Sequence, residues 1–410
     1  MRKPVLSHDF WRLWAGRVAG FMGSQMGDVA LRILFASALA AGSLELGILS
    51  AAQTAGFLVF AIPAGILADR FTRRRLLVIS DLVRAGLLAL IPIFALLGRL
   101  NLYVVIVIAF LVGLGNLLFE ISYKSLLPDI VPNDNLVLAN TRLETGRTSA
   151  ALTGPLIAGA LLEFIAAPFV ILIQSLLHLF SASRIRNIRT VQSASTVKKP
   201  FTIAEVKEGI AHISRDRRLA GLAGAAATYN FGYGLLTPLL VLVRIVEYGT
   251  HPAMVGLVYA FSGIGGVLGA ISAQRILKRV PLPRAIVLSE SIAPIAALFF
   301  FLATPSTAIV FFAIGNFLLH YGLSIYNITS ISMRQFLCPP NVLGRVTATM
   351  GFFASGTLPL GALLGGVVGE WLGARVGLTM VLVAFIVAVL WLVISPIPKM
   401  APNADGQYTP

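Results

Sequence analysis

Apolar residues run along almost the whole chain in stretches of about twenty, broken by short polar segments. A helix rising 1.5 Å per residue needs about twenty such residues to cross ~30 Å of hydrocarbon. Twelve stretches meet that length: 10–38, 46–68, 76–97, 102–127, 136–162, 166–184, 219–246, 253–276, 284–303, 307–333, 344–371 and 375–395. The predicted fold class is therefore an all-α membrane protein with twelve transmembrane helices. The one long hydrophilic insertion, 185–218, divides them six and six. The expected organisation is a helical bundle over 1–184, a cytoplasmic linker over 185–218, a second bundle over 219–396 and a cytoplasmic tail over 397–410. Within the linker, Ile203, Val206, Ile210 and Ile213 fall at helical spacing, which predicts an amphipathic helix on the inner membrane surface.

Composition agrees with the pattern. Of 410 residues, 57% are hydrophobic and 12% charged, against about 25% charged in soluble domains. The formal charge of +15 raises nucleic acid as a partner. The basic residues, however, cluster in short loops between spans with no nucleic-acid motif beside them, as expected from retention of Lys and Arg on the cytoplasmic side. With both termini inside, the inner segments hold Arg2, Lys3, Arg12, Arg70, Arg73–Arg75, Arg275, Lys278, Arg279, Arg284 and Lys399. The outer loops hold little beyond Arg99, with Arg375 at their margin. A cell-membrane location with cytoplasmic termini follows, with anionic lipid headgroups as neighbours. Cys338 is the only cysteine, so neither a disulfide nor a thiolate metal cluster is expected. The first apolar run lacks a small-residue cleavage site, so no removable signal peptide is expected.

The two halves resemble each other. Setting Gly47 on Gly256 without a gap places Gly56 on Gly265, Arg70 on Arg279, Ser80 on Ser289 and Asp81 on Glu290. Setting Gly115-Asn116 on Gly315-Asn316 places Glu120 on His320, and Pro155 has a counterpart in Pro359. Three segments in the same order argue for duplication.

Between the second and third spans the chain reads GILADRFTRRRLL, from Gly65 to Leu77. This resembles the hairpin signature of major facilitator superfamily transporters, matched by Gly65, Leu67, Asp69, Arg70, Arg73 and Leu77, with Arg74 in place of Lys. Thr72 stands where the signature has a second Gly, so the turn must form without a residue free to take positive φ. Leu127, Pro128, Val131, Pro132, Leu136, Asn140, Glu144 and Arg147 resemble the enterobactin-exporter-like and macrolide-efflux-like branch. Gly154, Pro155 and Gly159 resemble the fifth-helix signature of exporters, with Ala158 in place of one Gly. The arginine usual in the fourth helix of many drug/proton antiporters is absent from Ala109–Asn116. The resemblance implies two six-helix bundles with a substrate site between them near the bilayer midplane. It also implies a cytoplasmic gate built on Gly65, Asp69, Arg70 and Arg73, which Asp129 is placed to join.

Ionisable residues inside the membrane are costly, so each needs a partner or a watery cavity. Arg17, Ser24, Asp28 and Arg32 share one face of the first span, with Gln25 beside them. Asp28 is either a coupling carboxylate or the partner of Arg32 one turn on. Asn116, Glu120 and Lys124 recur every four residues in the fourth span, as do Asn316, His320 and Ser324 in the tenth. A carboxyl and an imidazole are readily tuned by burial, which makes Glu120 and His320 candidates for proton or substrate coupling. For Glu120 the alternative is pairing with Lys124, and for His320 a packing role. Asn230, Tyr233 and Thr237 offer an uncharged polar face in the seventh span, for substrate or for helix packing.

No G-x-x-x-x-G-K-[ST], H-E-x-x-H or G-x-S-x-G pattern occurs, so no nucleotide site, no hydrolase chemistry and no cofactor are expected. The expectation is a monomeric secondary transporter, not an enzyme, exporting a hydrophobic or amphipathic small molecule in exchange for protons. A lipid flippase, an importer, or a sensor that no longer transports remain as alternatives. If Asp69 latches a cytoplasmic gate, Asp69→Asn lowers transport while membrane abundance, measured by immunoblot of isolated membranes, stays at the wild-type level.

Overall fold

A computed structural model of the chain describes residues 6–39, 42–132, 135–189, 203–241, 252–338, 340–402 and 408–409. The side chains of 61–70 and several shorter stretches, such as 124–125 and 203–208, lie outside the described residues. The helices in chain order are α1 (His8–Ile33), continued by a π-turn over Leu34–Ala38, α2 (Ser43–Arg70), α3 (Arg73–Leu96), α4 (Leu102–Ile130), α5 (Leu136–Leu161) and α6 (Ala167–Arg186). Then come α7 (Ile203–Arg215), α8 (Arg217–Val241), α9 (Pro252–Leu277), α10 (Leu282–Glu290), α11 (Ile292–Leu302), α12 (Ala308–Leu337), α13 (Pro340–Trp371) and α14 (Ala374–Ile394). A two-residue antiparallel pair, Ala401–Pro402 with Tyr408–Thr409, lies in the tail.

Eight spans among the described residues are long and apolar enough to cross a membrane, with α10 and α11 together making one. Four more helices, α1, α2, α5 and α8, run 25 to 28 residues, each at least 37 Å at the helical rise. These make up the twelve membrane helices. The helical state is forced by the solvent: in hydrocarbon every backbone N–H and C=O must be satisfied within its own segment. Predicted boundaries shift by a few residues, and the ninth span is interrupted at Ser291 instead of running through. At the α2–α3 junction Thr72 takes φ −62° and ψ 130°, extended backbone that any residue adopts, so the missing glycine of the hairpin signature is no obstacle.

The helices form two compact units: 1–40, 52–201 and 251–260 in the first, and 41–51, 202–250 and 261–410 in the second. In the first, α1 packs on α6 and α5, while α3 packs on α6 and α4. Gly16, Gly20, Gly23 and Gly27 form a stripe along α1 that lets α6 approach closely. A Cβ on Gly16 would lie 3.2 Å from the Ser181 carbonyl, and one on Gly23 would lie 3.3 Å from the Gln174 Cα. Small residues at such spacing are the usual means of close helix approach in membranes.

In the second unit, α8 packs on α13 and α14, and α12 on α10 and α11. The linker helix α7 lies against α13 here. A Cβ on Gly209 would be 3.1 Å from the Arg345 carbonyl, and Ile213 is buried in the same core as Val342 and Val346, while Ile210 is exposed. Asp216 caps α8 by accepting the Arg218 N–H at 2.8 Å. Partial burial pushes the Asp216 carboxyl up, but the hydrogen bonds and charge of Arg218 outweigh it and hold the group below its ordinary value.

The units exchange two helix ends. The start of α2 belongs to the second unit, where a Cβ on Gly47 would meet the Ala362 carbonyl at 2.6 Å and the Gly366 Cα at 2.8 Å. The start of α9 belongs to the first, where a Cβ on Gly256 would meet the Pro155 carbonyl at 2.5 Å and the Gly159 Cα at 3.0 Å. Both are backbone-to-backbone approaches with no flexible side chain to yield. Gly47→Leu or Gly256→Leu should each destabilise by about 1–3 kcal/mol through overpacking, read as a lowered Tm of the detergent-solubilised protein. Gly86→Leu, at a position with nothing within 4 Å, should leave Tm unchanged.

Candidate functional site

The first unit carries a charged cluster where α1 meets α4. Arg17 of α1 forms an ion pair with Glu120 of α4, the carboxylate side chain remaining 31% exposed. The Arg17 guanidinium also lies 4.6 Å from the Tyr123 ring, 5.5 Å from Phe119 and 5.9 Å from Phe21. At such distances the ring faces attract the guanidinium in addition to its carboxylate partner. On α5, Arg147 pairs with Glu144 and lies 5.8 Å from the same Phe21 ring. Lys124, the alternative partner for Glu120, has its side chain outside the described residues; the partner observed is Arg17, one helix away.

The other α1 candidates are distributed differently. Asp28 is exposed and accepts a hydrogen bond from Gln53 Nε2 of α2 at 3.3 Å. Arg32, one turn on, acts on Asp28 through its charge. Gln25 abuts α5: a Cβ on Gly154 would lie 2.7 Å from the Gln25 Cβ. Gly154 thus faces α1 and Gly159 faces α9, so the fifth-helix glycines occupy two separate close approaches around Pro155. Asn116 is committed to Arg84, whose Nη1 donates to its Oδ1 at 2.6 Å.

In the second unit, His320 Nδ1 lies 3.0 Å from the Asn316 carbonyl on its own helix, and its ring stands edge-on to Tyr233 of α8, 6.1 Å between centroids. Asn316 is buried and donates to the Phe312 carbonyl at 2.8 Å, as Asn230 does to the Ala226 carbonyl at 2.8 Å. Both amides therefore have a donor satisfied inside their own helices. Tyr233 stacks on Tyr229, which stacks in turn on Phe385.

At the hairpin, Arg73 at the start of α3 pairs with Asp129 near the end of α4, Nη1 to Oδ2 2.6 Å. Arg74 donates to the Ile188 carbonyl beyond α6 at 2.6 Å. The gate candidates Gly65, Asp69 and Arg70 fall on α2, with their side chains outside the described residues.

Sequence reasoning did not single out the most buried charge network. Asp81 of α3 is wholly buried and pairs with Arg84, 4% exposed, one turn on. The same carboxylate accepts from Ser181 Oγ at 2.6 Å and lies 3.1 Å from His178 Nδ1, both on α6. Arg84 is completed by Asn116 and by the Phe119 ring at 4.6 Å. Glycine again makes the room, since a Cβ on Gly115 would sit 2.7 Å from the Arg84 Cγ. The available signal was Asp81 and Arg84 three residues apart within an otherwise apolar span. Their partners on α6 had no sequence mark. The network ties α3, α4 and α6 together, and its Asp81, Arg84, His178 and Ser181 side chains are buried.

Comparison with known proteins places these features. The Major Facilitator Superfamily profile matches residues 13–358. The macrolide efflux protein A of Streptococcus pyogenes is 23% identical over 376 residues, covering 89% of this chain and 90% of that protein. The multidrug efflux pump Tap of Mycolicibacterium fortuitum is 27% identical over 339 residues, covering 79% and 80%. Among solved structures, the nucleoside transporter NupG superposes with a TM-score of 0.72 at 12% identity, over 94% of this chain and 98% of that one. A bacterial homologue of the iron transporter ferroportin in an inward-facing state gives 0.73 at 16% identity, over 94% and 98%. At such identities the structural likeness speaks for the fold alone.

Removing one member of the buried network should be costly, because it leaves an uncompensated charge. Arg84→Leu is expected to lose about 3–5 kcal/mol, measured as reduced yield and Tm of the purified protein. The neutral pair Asp81→Asn with Arg84→Gln should recover most of that loss.

Proposed function

Because the chain belongs to the Major Facilitator Superfamily, we propose that it exports a hydrophobic or amphipathic small molecule, such as a drug, a macrolide or a siderophore, in exchange for protons. The chain is a multi-pass transporter working by alternating access. The finer reading is that bundles 1–184 and 219–396 rock about a central site with both termini cytoplasmic, and that the protein acts as a monomer. The macrolide and multidrug efflux relatives support export.

The observation that carries the coupling is the Arg17–Glu120 pair. Glu120 is part-exposed, so solvent can deliver a proton to it. Protonation removes the negative charge, and Arg17 then rests on Tyr123, Phe119 and Phe21. A cationic or amphipathic solute entering among those rings competes with Arg17 for the carboxylate, so substrate and proton exclude one another at a single group. Competition of that kind makes an exchanger out of a site. His320, beside Tyr233, supplies a polar contact in the second bundle, and Arg73 with Asp129 belongs to the cytoplasmic gate with Asp69.

The free energy bounds the test. A tenfold proton gradient carries about 1.4 kcal/mol per proton, so one-for-one exchange supports at most about a tenfold substrate gradient. In proteoliposomes under such a gradient the wild type should accumulate a lipophilic cation or a macrolide towards that limit. Glu120→Gln should abolish accumulation while keeping downhill flux. Accumulation by Glu120→Gln equal to the wild type would remove Glu120 from the coupling.

A further inference from the structure

The repeat that sets Asp81 on Glu290 puts two buried carboxylates at matching places in the two units, but with opposite surroundings. Asp81 has Arg84, Ser181 and His178. In the same gapless register Arg84 falls on Ala293, itself buried. Glu290 is 1% exposed, and its Oε1 has no hydrogen-bond partner. The second unit has the acid, with Ala293 where the first unit has the arginine.

Among the described residues, no basic side chain is seen to pair with Glu290. On α8 the group that feels the Glu290 charge is the Tyr229 hydroxyl, also buried and without a hydrogen-bond partner. On α12 it is Tyr326, whose hydroxyl is 3.5 Å from the Leu222 carbonyl. Arg334, further along α12, hydrogen-bonds the Ser330 carbonyl at 3.3 Å. The ionisable residues of the other packed elements are Arg284 on α10 and Lys399 after α14, both exposed, and Arg375 at the start of α14; α11 has none. An ionised carboxylate taken out of water with no cation beside it costs several kcal/mol even after relaxation, whereas the neutral acid costs only an unmade hydrogen bond.

The backbone breaks at the same spot. α10 ends at Glu290 and α11 begins at Ile292. Pro294 has no N–H to give the Glu290 carbonyl four residues back. The α12 side is tight, since a Cβ on Gly322 would lie 2.8 Å from the Ser289 carbonyl.

We propose that Glu290 is a proton-binding site of the second unit, occupied as the neutral carboxylic acid in this conformation and emptied only when the break at Ser291 admits water. The proton leaves to that water and returns when the segment closes, so opening here exchanges one proton with solvent. The site is separate from the coupling assigned to Glu120 and does not depend on it.

Infrared spectroscopy of the full chain in lipid nanodiscs at pH 7 tests this. The wild type should show the carbonyl-stretch band of a protonated carboxylic acid. Glu290→Gln should remove that band, and Glu290→Asp should shift it, which preserves the readout if the Gln variant folds poorly. Glu120→Gln should leave the Glu290 band in place, so failure of the Glu120 reading and failure of this one are distinguishable. A wild-type spectrum unchanged by both Glu290 substitutions would overturn the proposal.

Discussion

Hydrocarbon offers a backbone no hydrogen bonds and a charge no solvation. The first condition makes every spanning segment a helix, so helical propensity decides little here. The second means that each ionisable side chain within a span must find a partner on a neighbouring helix. The charges of this protein therefore report its tertiary contacts. Arg17 with Glu120 joins α1 to α4, and Asp81 with Arg84, His178 and Ser181 joins α3 to α6. Glu290, buried with its Oε1 unbonded, departs from that rule, which is why we propose it as a proton-binding group.

Close approach is the second theme, and glycine is its means. With no gain from burying apolar surface against lipid tails, helices associate through contact and hydrogen bonds, and both need short distances. The α1 stripe of Gly16, Gly20, Gly23 and Gly27 seats α6, and Gly115 makes room for the Arg84 side chain. Gly47 with Gly366, and Gly256 with Gly159, hold the exchanged ends of α2 and α9. These last contacts join short segments from different sequence halves within one compact unit, while the main division between the units falls in the hydrophilic linker.

The duplication gains meaning from this. The repeat sets corresponding polar positions of the two halves side by side, and the contacts those positions make differ between the units. Asp81 and Glu290 are the clearest case: a paired carboxylate in one copy and an unpaired one in the other. Glu120 and His320 differ in another way, with an ion pair to α1 in one unit and a bond to its own helix backbone in the other.

Much was legible without coordinates. The number and order of the spans followed from apolar length alone, because the bilayer sets that length. The hairpin resemblance and the repeat followed from residues in fixed register. The candidate residues Arg17 and Glu120 were also visible, since a charge in an apolar run stands out. Which charges meet was not legible. Glu120 meets Arg17, more than a hundred residues away, and Asn116 answers to Arg84. Such pairings depend on rotation and depth of whole helices, and a sequence period leaves both free. The isolation of Glu290 is of the same kind: its type and position are written in the chain, but the lack of a partner exists only once the helices are packed.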